Sequence, residues 1–286
     1  MTDASYILTT STPDTTGIVA AITGFLAARR LSITETQHFL DPPTSRSYLR
    51  TVFRDGGGGL PPIGVLAADF KPIAKRFGMQ WQFRDAGRRC RVLIGVSKQG
   101  QCLNSMLNRW HSGVLPIDVI GVYSNHEDQK RLTDWYGVPY HWFPIGPQGK
   151  AAQEAQILEL FDGSGADLMV LARYMQILSA EACDRLAGRA INIHHSFLPG
   201  FKGARPYYQA YERGVKLIGA TAHYVTGDLD EGPIIEQEVH RVDHTLEPEE
   251  LTNIGHDIES VTLNRAVRWH AEHRVFVHGN RTVVLR

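Results

Sequence analysis

Cysteine, charge asymmetry and long apolar runs are all scarce in this chain, and each scarcity narrows what it can be. Three cysteines in 286 residues, Cys90, Cys102 and Cys183, are odd in number, widely spaced and without a CxxC pair. They leave no basis for a disulfide framework and fit a reducing, cytoplasmic compartment. Thirty basic residues balance thirty acidic ones, so no global field draws nucleic acid or an anionic membrane, and any anion site must be local. No apolar run approaches the length that spans a bilayer, and the first twenty residues lack a basic leader followed by an apolar stretch. Internal repeats and low-complexity tracts are missing too. What is present is a core-forming composition, 43% hydrophobic against 21% charged, in a chain with room for two domains.

The order of elements divides the chain. Tyr6 to Thr10 reads as a strand, and Ile18, Val19, Ile22, Phe25 and Leu26 recur at helical spacing. Ile33 to Leu40 and Ser47 to Phe53 read as a hairpin around the turn formers DPPTSR. Gly56 to Gly59 reads as a flexible connection to a helix through Ala67, Phe70, Ile73, Ala74 and Phe77, and Met79 to Phe83 closes the unit as a strand. The expected order is βαββαβ, a ferredoxin-like unit over residues 1–84, with a polar linker at 85–88. From 89 to 286 the rhythm changes. Val92 to Val96, Ile117 to Tyr123, Tyr140 to Phe143, Leu168 to Ala172 and Ala190 to His194 are short apolar runs separated by helical stretches, the pattern of a buried parallel sheet and a Rossmann-like α/β domain. Leu217 to Val225 and Ile234 to Val239 add two strands, a helix runs from about Pro248 to Glu272, and His278-Gly279-Asn280 marks a terminal hairpin.

The segment with chemistry in it is Asn192-Ile193-His194-His195-Ser196-Phe197-Leu198-Pro199. In a strand ending at His194, residues two apart share a face, so Asn192 and His194 project together while Ile191 and Ile193 pack the other way. Asp230 follows 38 positions after Asn192 in a turn that leads into a strand. An amide can donate to a developing oxyanion, an imidazole exchanges protons near neutrality, and a carboxylate can orient it. Taken singly, each of the three reads as a satisfied structural polar group.

Together these residues resemble the folate-dependent formyltransferase fold, on NIHHSFLP at 192–199, DLDEGPII at 228–235 and LARYMQILS at 171–179. The resemblance implies Asn192, His194 and Asp230 as a catalytic trio. It also implies a folate pocket formed by Met175, Gln176, Ile177 and Leu178 on one wall and Thr226, Gly227, Asp228 and Leu229 on the other. Lys150, matching a basic position of the transferases, is expected either to meet the folate carboxylate or to stand as a solvated surface lysine, and Lys202 and Arg205 flank the site in a loop from which they could serve the same end. The whole chain resembles the formyltetrahydrofolate deformylase family, from an ACT-like N-terminal unit to GARPYYQAYERGVKLIGATAHYV at 203–225. It departs at Tyr208, where histidine is expected. Ser97 to Leu103 has one glycine where the transferases carry a glycine-rich phosphate loop, which disfavours a ribonucleotide acceptor.

The resemblance implies hydrolysis of 10-formyltetrahydrofolate to formate and tetrahydrofolate, needing neither metal nor cofactor. It further implies a homo-oligomer, with the N-terminal unit either binding an amino-acid effector at Asp14, Thr15, Thr16 and Gly17, the first strand-to-helix turn, or serving assembly alone. Three alternatives stand beside it. A formyltransferase to an amine acceptor would share the trio. A metal hydrolase would gather His194, His195, His223 and Asp230, against which strand geometry is expected to send His194 and His195 to opposite faces. A folate-binding sensor would have no use for the trio. Cys102 is expected as a small buried packing residue, and the five tryptophans as packing residues rather than stacking platforms.

Overall fold

The structure, a computed structural model, describes residues 4–200 and 206–286. It divides into two units. The first reaches Arg89 and takes in 272–276 and 283–286; the second spans Cys90–Ala271 with Val277–Thr282.

In the first unit the elements are β1 (Ser5–Pro13), α1 (Ile18–Ala27), β2 (Leu31–Asp41), β3 (Arg46–Asp55), α2 (Ile63–Phe77) and β4 (Gln80–Asp85). The strands form an antiparallel sheet in the order β2-β3-β1-β4, and the elements follow one another in the order βαββαβ that the sequence predicts. One face is covered because α1 buries Ile18, Ile22, Phe25 and Leu26, and α2 buries Leu66, Phe70 and Ala74, against Leu8, Leu49, Phe53 and Phe83.

Three sequence expectations change here. Asp85 pairs with Tyr6 in β4 and the Ala86 amide bonds Ser5, so the strand runs into the expected linker at 85–88. An edge strand with one wet face carries polar residues and reads as linker. The glycine run at 56–59 is a built turn: the Asp55 carboxylate accepts the amides of Gly57, Gly58 and Gly59 at 2.9, 2.9 and 2.8 Å. Residues 272–276 and 283–286, expected within 89–286, group with the first unit. Arg274 pairs with Glu35 at 2.9 Å, Arg50 donates to the Glu272 carbonyl at 2.9 Å, and the Phe276 ring lies 5.4 Å from that of Tyr48. These contacts span more than two hundred residues, beyond the reach of local pattern.

The second unit contains β5 (Cys90–Val96), α3 (Gln101–His111), β6 (Ile117–Ser124), α4 (Lys130–Tyr136), β7 (Tyr140–Trp142), α5 (Gly149–Ser164), β8 (Leu168–Leu171), α6 (Ala180–Arg185), β9 (Ala190–His194), α7 (Pro206–Glu212), β10 (Leu217–Tyr224), β11 (Ile234–Arg241) and α8 (Pro248–Ala271). The hairpin strands β12 (Val275–His278) and β13 (Arg281–Val284) pair with each other. The seven-stranded sheet has the order β11-β10-β9-β8-β5-β6-β7. β5 to β9 are parallel, and β10 and β11 are antiparallel additions. Every residue of β8 is buried, the continuous apolar run of a strand covered on both faces. The chain winds outward from β5 through β6 to β7, then resumes on the other side of β5 with β8. Such a reversal opens a crevice at the carboxyl ends of the strands, the favoured ligand position in open α/β sheets. Ser97 after β5 and Arg173 after β8 flank that switch, joined by a 3.2 Å backbone hydrogen bond. Among the described residues no helix is long and apolar enough to cross a membrane.

Candidate active site

Strand alternation brings Asn192 and His194 to one face of β9, and the antiparallel register sets His223 of β10 opposite Asn192 and Thr221 opposite His194. Directly opposed residues share a face, so an amide and two imidazoles converge. His223 Nδ1 lies 2.9 Å from the Tyr224 carbonyl, which makes that nitrogen the protonated one and leaves Nε2 facing Asn192 Nδ2 at 3.3 Å. Thr221, fully buried, bonds both the Ser196 carbonyl and the Leu198 amide and anchors the segment after β9.

Asp230 arrives from the loop between β10 and β11. That loop doubles back closely: the Tyr224 amide bonds the Pro233 carbonyl, and a Cβ on Gly232 would lie 1.8 Å from the Tyr224 oxygen, so position 232 admits only glycine without movement. Asp230 itself sits at φ 57°, a left-handed conformation uncommon outside glycine and tolerated best by Asn and Asp. Its carboxylate reaches His194 Nδ1 at 3.2 Å and His223 Nε2 at 3.6 Å. Burial alone would raise the Asp230 pKa, but the hydrogen bonds and charge of the two imidazoles outweigh it and hold the carboxyl well below its ordinary range. His194 Nε2, on the other side of the ring, is buried without a partner among the described residues.

The trio opens on a cavity of about 580 Å³. Met175, Gln176, Ile177 and Leu178 line it, as do Thr226, Gly227, Asp228 and Leu229. Met175 and Ile177 expose apolar surface there, 57% and 58% accessible, an open wall suited to a flat ring system. The Met175 amide is itself taken by Ser97 Oγ at 3.0 Å. Lys150 does not line the cavity; its ammonium is bonded to the Ile177 carbonyl and braces that wall from outside. Lys202 and Arg205 lie outside the described residues. Asp14 to Gly17 form an exposed turn in the first unit, where Gly17 at φ 94° starts α1.

One expectation fails in this region: the rings of His194 and His195 stack, 4.9 Å apart and 21° from parallel. β9 ends at His194, and the alternation that would separate them ends with it. Among the described residues no group of three or more His, Cys, Asp or Glu is arranged to hold a metal. Cys102 is fully buried, and desolvation pushes its thiol up to about 12, which suits a packing role. Trp135 and Trp142 are 74% and 52% exposed and are not core packing residues, whereas Trp81 packs on Phe70 and Phe83.

The sequence reading named His223 only as a ligand in the metal alternative and missed the part that α8 plays. His223 carried a signal in the period-two pattern Thr221-Ala222-His223, which puts a polar face on an otherwise apolar strand. On α8, Thr252, His256 and Glu259 are spaced four and three apart, one helical face that supplies the far wall. Thr252 and His256 line the cavity, and Glu259 is buried behind it.

The family model described as Formyl transferase matches residues 90–267, the stretch that holds this switch-point crevice with its amide, two imidazoles and carboxylate. Over 98% of its length the chain is 51% identical to a formyltetrahydrofolate deformylase from Corynebacterium sp. (strain P-1), covering 98% of that protein. A solved formyltetrahydrofolate deformylase from Burkholderia mallei superposes with a TM-score of 0.93 at 52% identity, over 99% of this chain and 100% of that one. Glycinamide ribonucleotide transformylase 1 from Symbiobacterium toebii matches only 71% of this chain, with 97% of its own covered, at 30% identity and a TM-score of 0.66. The chain belongs to the formyltetrahydrofolate deformylase family and is a hydrolase.

Proposed function

We propose that the chain hydrolyses 10-formyltetrahydrofolate to formate and tetrahydrofolate without metal or cofactor, using Asn192, His194 and Asp230. The observation that carries this is the state of His194. Its Nδ1 is committed to Asp230 at 3.2 Å while its Nε2, buried and unpartnered, belongs to a ring that lines the cavity with Asn192. With the proton on Nδ1, Nε2 holds a lone pair and serves as a base.

The pterin packs against Met175 to Leu178 and is bounded by Thr226 to Leu229, which brings the N10-formyl carbon to Asn192 and His194. Water loses a proton to His194 Nε2 as its oxygen adds to the formyl carbon. The imidazolium that forms is stabilised by Asp230, and the Asn192 amide donates to the oxyanion. The C–N10 bond then breaks with its electron pair on N10, which takes the proton from His194. Formic acid ionises to formate. His223 accepts from the Asn192 amide at Nε2, so it acts as a positioning residue.

Hydrolysis is favoured over transfer to an amine acceptor because the deformylases match the whole chain and the transferase only part of it. The ferredoxin-like unit supports an ACT-type role, with assembly as a homo-oligomer and an amino-acid effector at Asp14 to Gly17. Purified protein with 10-formyltetrahydrofolate, a chelator and no acceptor should release formate and tetrahydrofolate in equal amounts. Turnover that appears only when an amine acceptor or a divalent metal is added defeats this assignment.

A further inference from the structure

Among the described residues two buried nitrogens of cavity-lining side chains lack partners, His194 Nε2 and Arg173 Nη1. The first is the base described above, and the second has no part in that chemistry. Arg173 follows β8 with its side chain 91% buried, and its backbone is held at φ 65°, a conformation that glycine would take at no steric cost. Its Nε and Nη2 both donate to Gln99 Oε1, at 3.1 and 2.5 Å. Its ionic partner Glu259, fully buried, stands 3.6 Å from Nε, longer than a hydrogen bond. The Glu259 oxygens are satisfied from elsewhere, by the Tyr207 hydroxyl at 2.8 Å and the Gln101 amide at 2.9 Å. The other polar atoms of the network named here have partners, and Nη1, on a side chain that lines the cavity, is buried with none among the described residues.

A buried donor without an acceptor carries an uncompensated desolvation cost, which a ligand removes by accepting from it. A guanidinium edge is matched best by a planar carboxylate. We infer that the Arg173 end of the cavity is a carboxylate subsite for the formate anion released by hydrolysis. This rests on the hydrolytic reading above. The folate's own glutamate tail offers the same chemistry, but a side chain this deeply buried suits the one-carbon anion. Occupancy of the subsite makes formate an inhibitory product.

Titration of ¹³C-formate against the folate-free protein, followed by NMR, tests the subsite without turnover, so its outcome is separable from failure of the hydrolysis assay. The wild type should bind formate saturably. The double variant Arg173→Gln/Glu259→Gln, which removes both charges together and withdraws the guanidinium head while keeping the shape at 259, should weaken that binding at least about tenfold. Arg173→Lys keeps the charge beside Glu259 and loses the forked edge; it should weaken formate by about fivefold, and it decides the matter should the double variant not fold. Formate inhibition of turnover should fall in parallel, while the ratio of KM values for substrates with and without the glutamate tail stays constant. Absence of saturable binding by the wild type, equal affinity in the variants, or a change confined to that KM ratio would overturn the assignment.

Discussion

Asp230→Asn isolates the charge of the carboxylate. Asparagine keeps the shape and accepts the left-handed conformation at φ 57°, so the loop is not disturbed. When His194 takes the proton from water, the carboxylate lies 3.2 Å from the imidazolium. At an effective dielectric of about 20 that attraction is about 5 kcal/mol. An amide oxygen recovers about 1 kcal/mol as a hydrogen bond, and the 16% exposure of Asp230 trims the rest by screening. A net loss of about 3–4 kcal/mol corresponds to a fall in turnover of roughly 10²- to 10³-fold. Because the charge develops only during reaction, kcat should fall while folate affinity stays within about twofold.

The stability signature has a defined sign. The folded carboxyl titrates below its ordinary value of 3.8, so the wild type gains stability above that pH and loses the gain as pH falls below it. The variant lacks the gain, and the gap between the two should narrow on acidification. Single-turnover formate release, equilibrium folate binding and denaturant melts across pH would separate these effects. Near-normal chemistry, a defect limited to folate binding, or a stability gap that does not vary with pH would refute the role given to Asp230.

Three further outcomes are expected. His223→Ala removes the partner of Asn192 and the 3.6 Å contact to Asp230; turnover should fall roughly tenfold with folate affinity kept, and a variant with wild-type kcat would show His223 to be inert. Gly232→Ala places a Cβ 1.8 Å from the Tyr224 oxygen. It should cost about 1–3 kcal/mol of stability, together with turnover, as the loop carrying Asp230 shifts; unchanged melting and activity would contradict the close approach. Phe70→Ala empties a fully buried position edge-on to Phe25, Trp81 and Phe83, and should destabilise by about 3–5 kcal/mol in urea titration; a loss under about 1 kcal/mol would mean the first unit's core is not built around that ring.

Local rules act over a few residues, and what they reach was legible in the chain. Period-two alternation placed Asn192 and His194 on one face, continuous apolar runs marked β5, β6, β8 and β9 as buried strands, and helical spacing drew α1, α2 and α8. The order βαββαβ carried the first unit's topology because short connections leave few ways to pair such strands. The remaining features depend on where distant segments meet. His223 joins Asn192 through the β9–β10 register, and a slip of one residue would turn it to the other face. Asp230 reaches both imidazoles because Gly232 lets the loop fold back on Tyr224. Arg173 and Glu259 are 86 positions apart, and Arg274 and Phe276, at the start of β12, lie more than two hundred positions from the Glu35 and Tyr48 they meet. Neither residue of such a pair has a local pattern that names its partner, because the pairing energy exists only after the sheets have formed and excluded water around it.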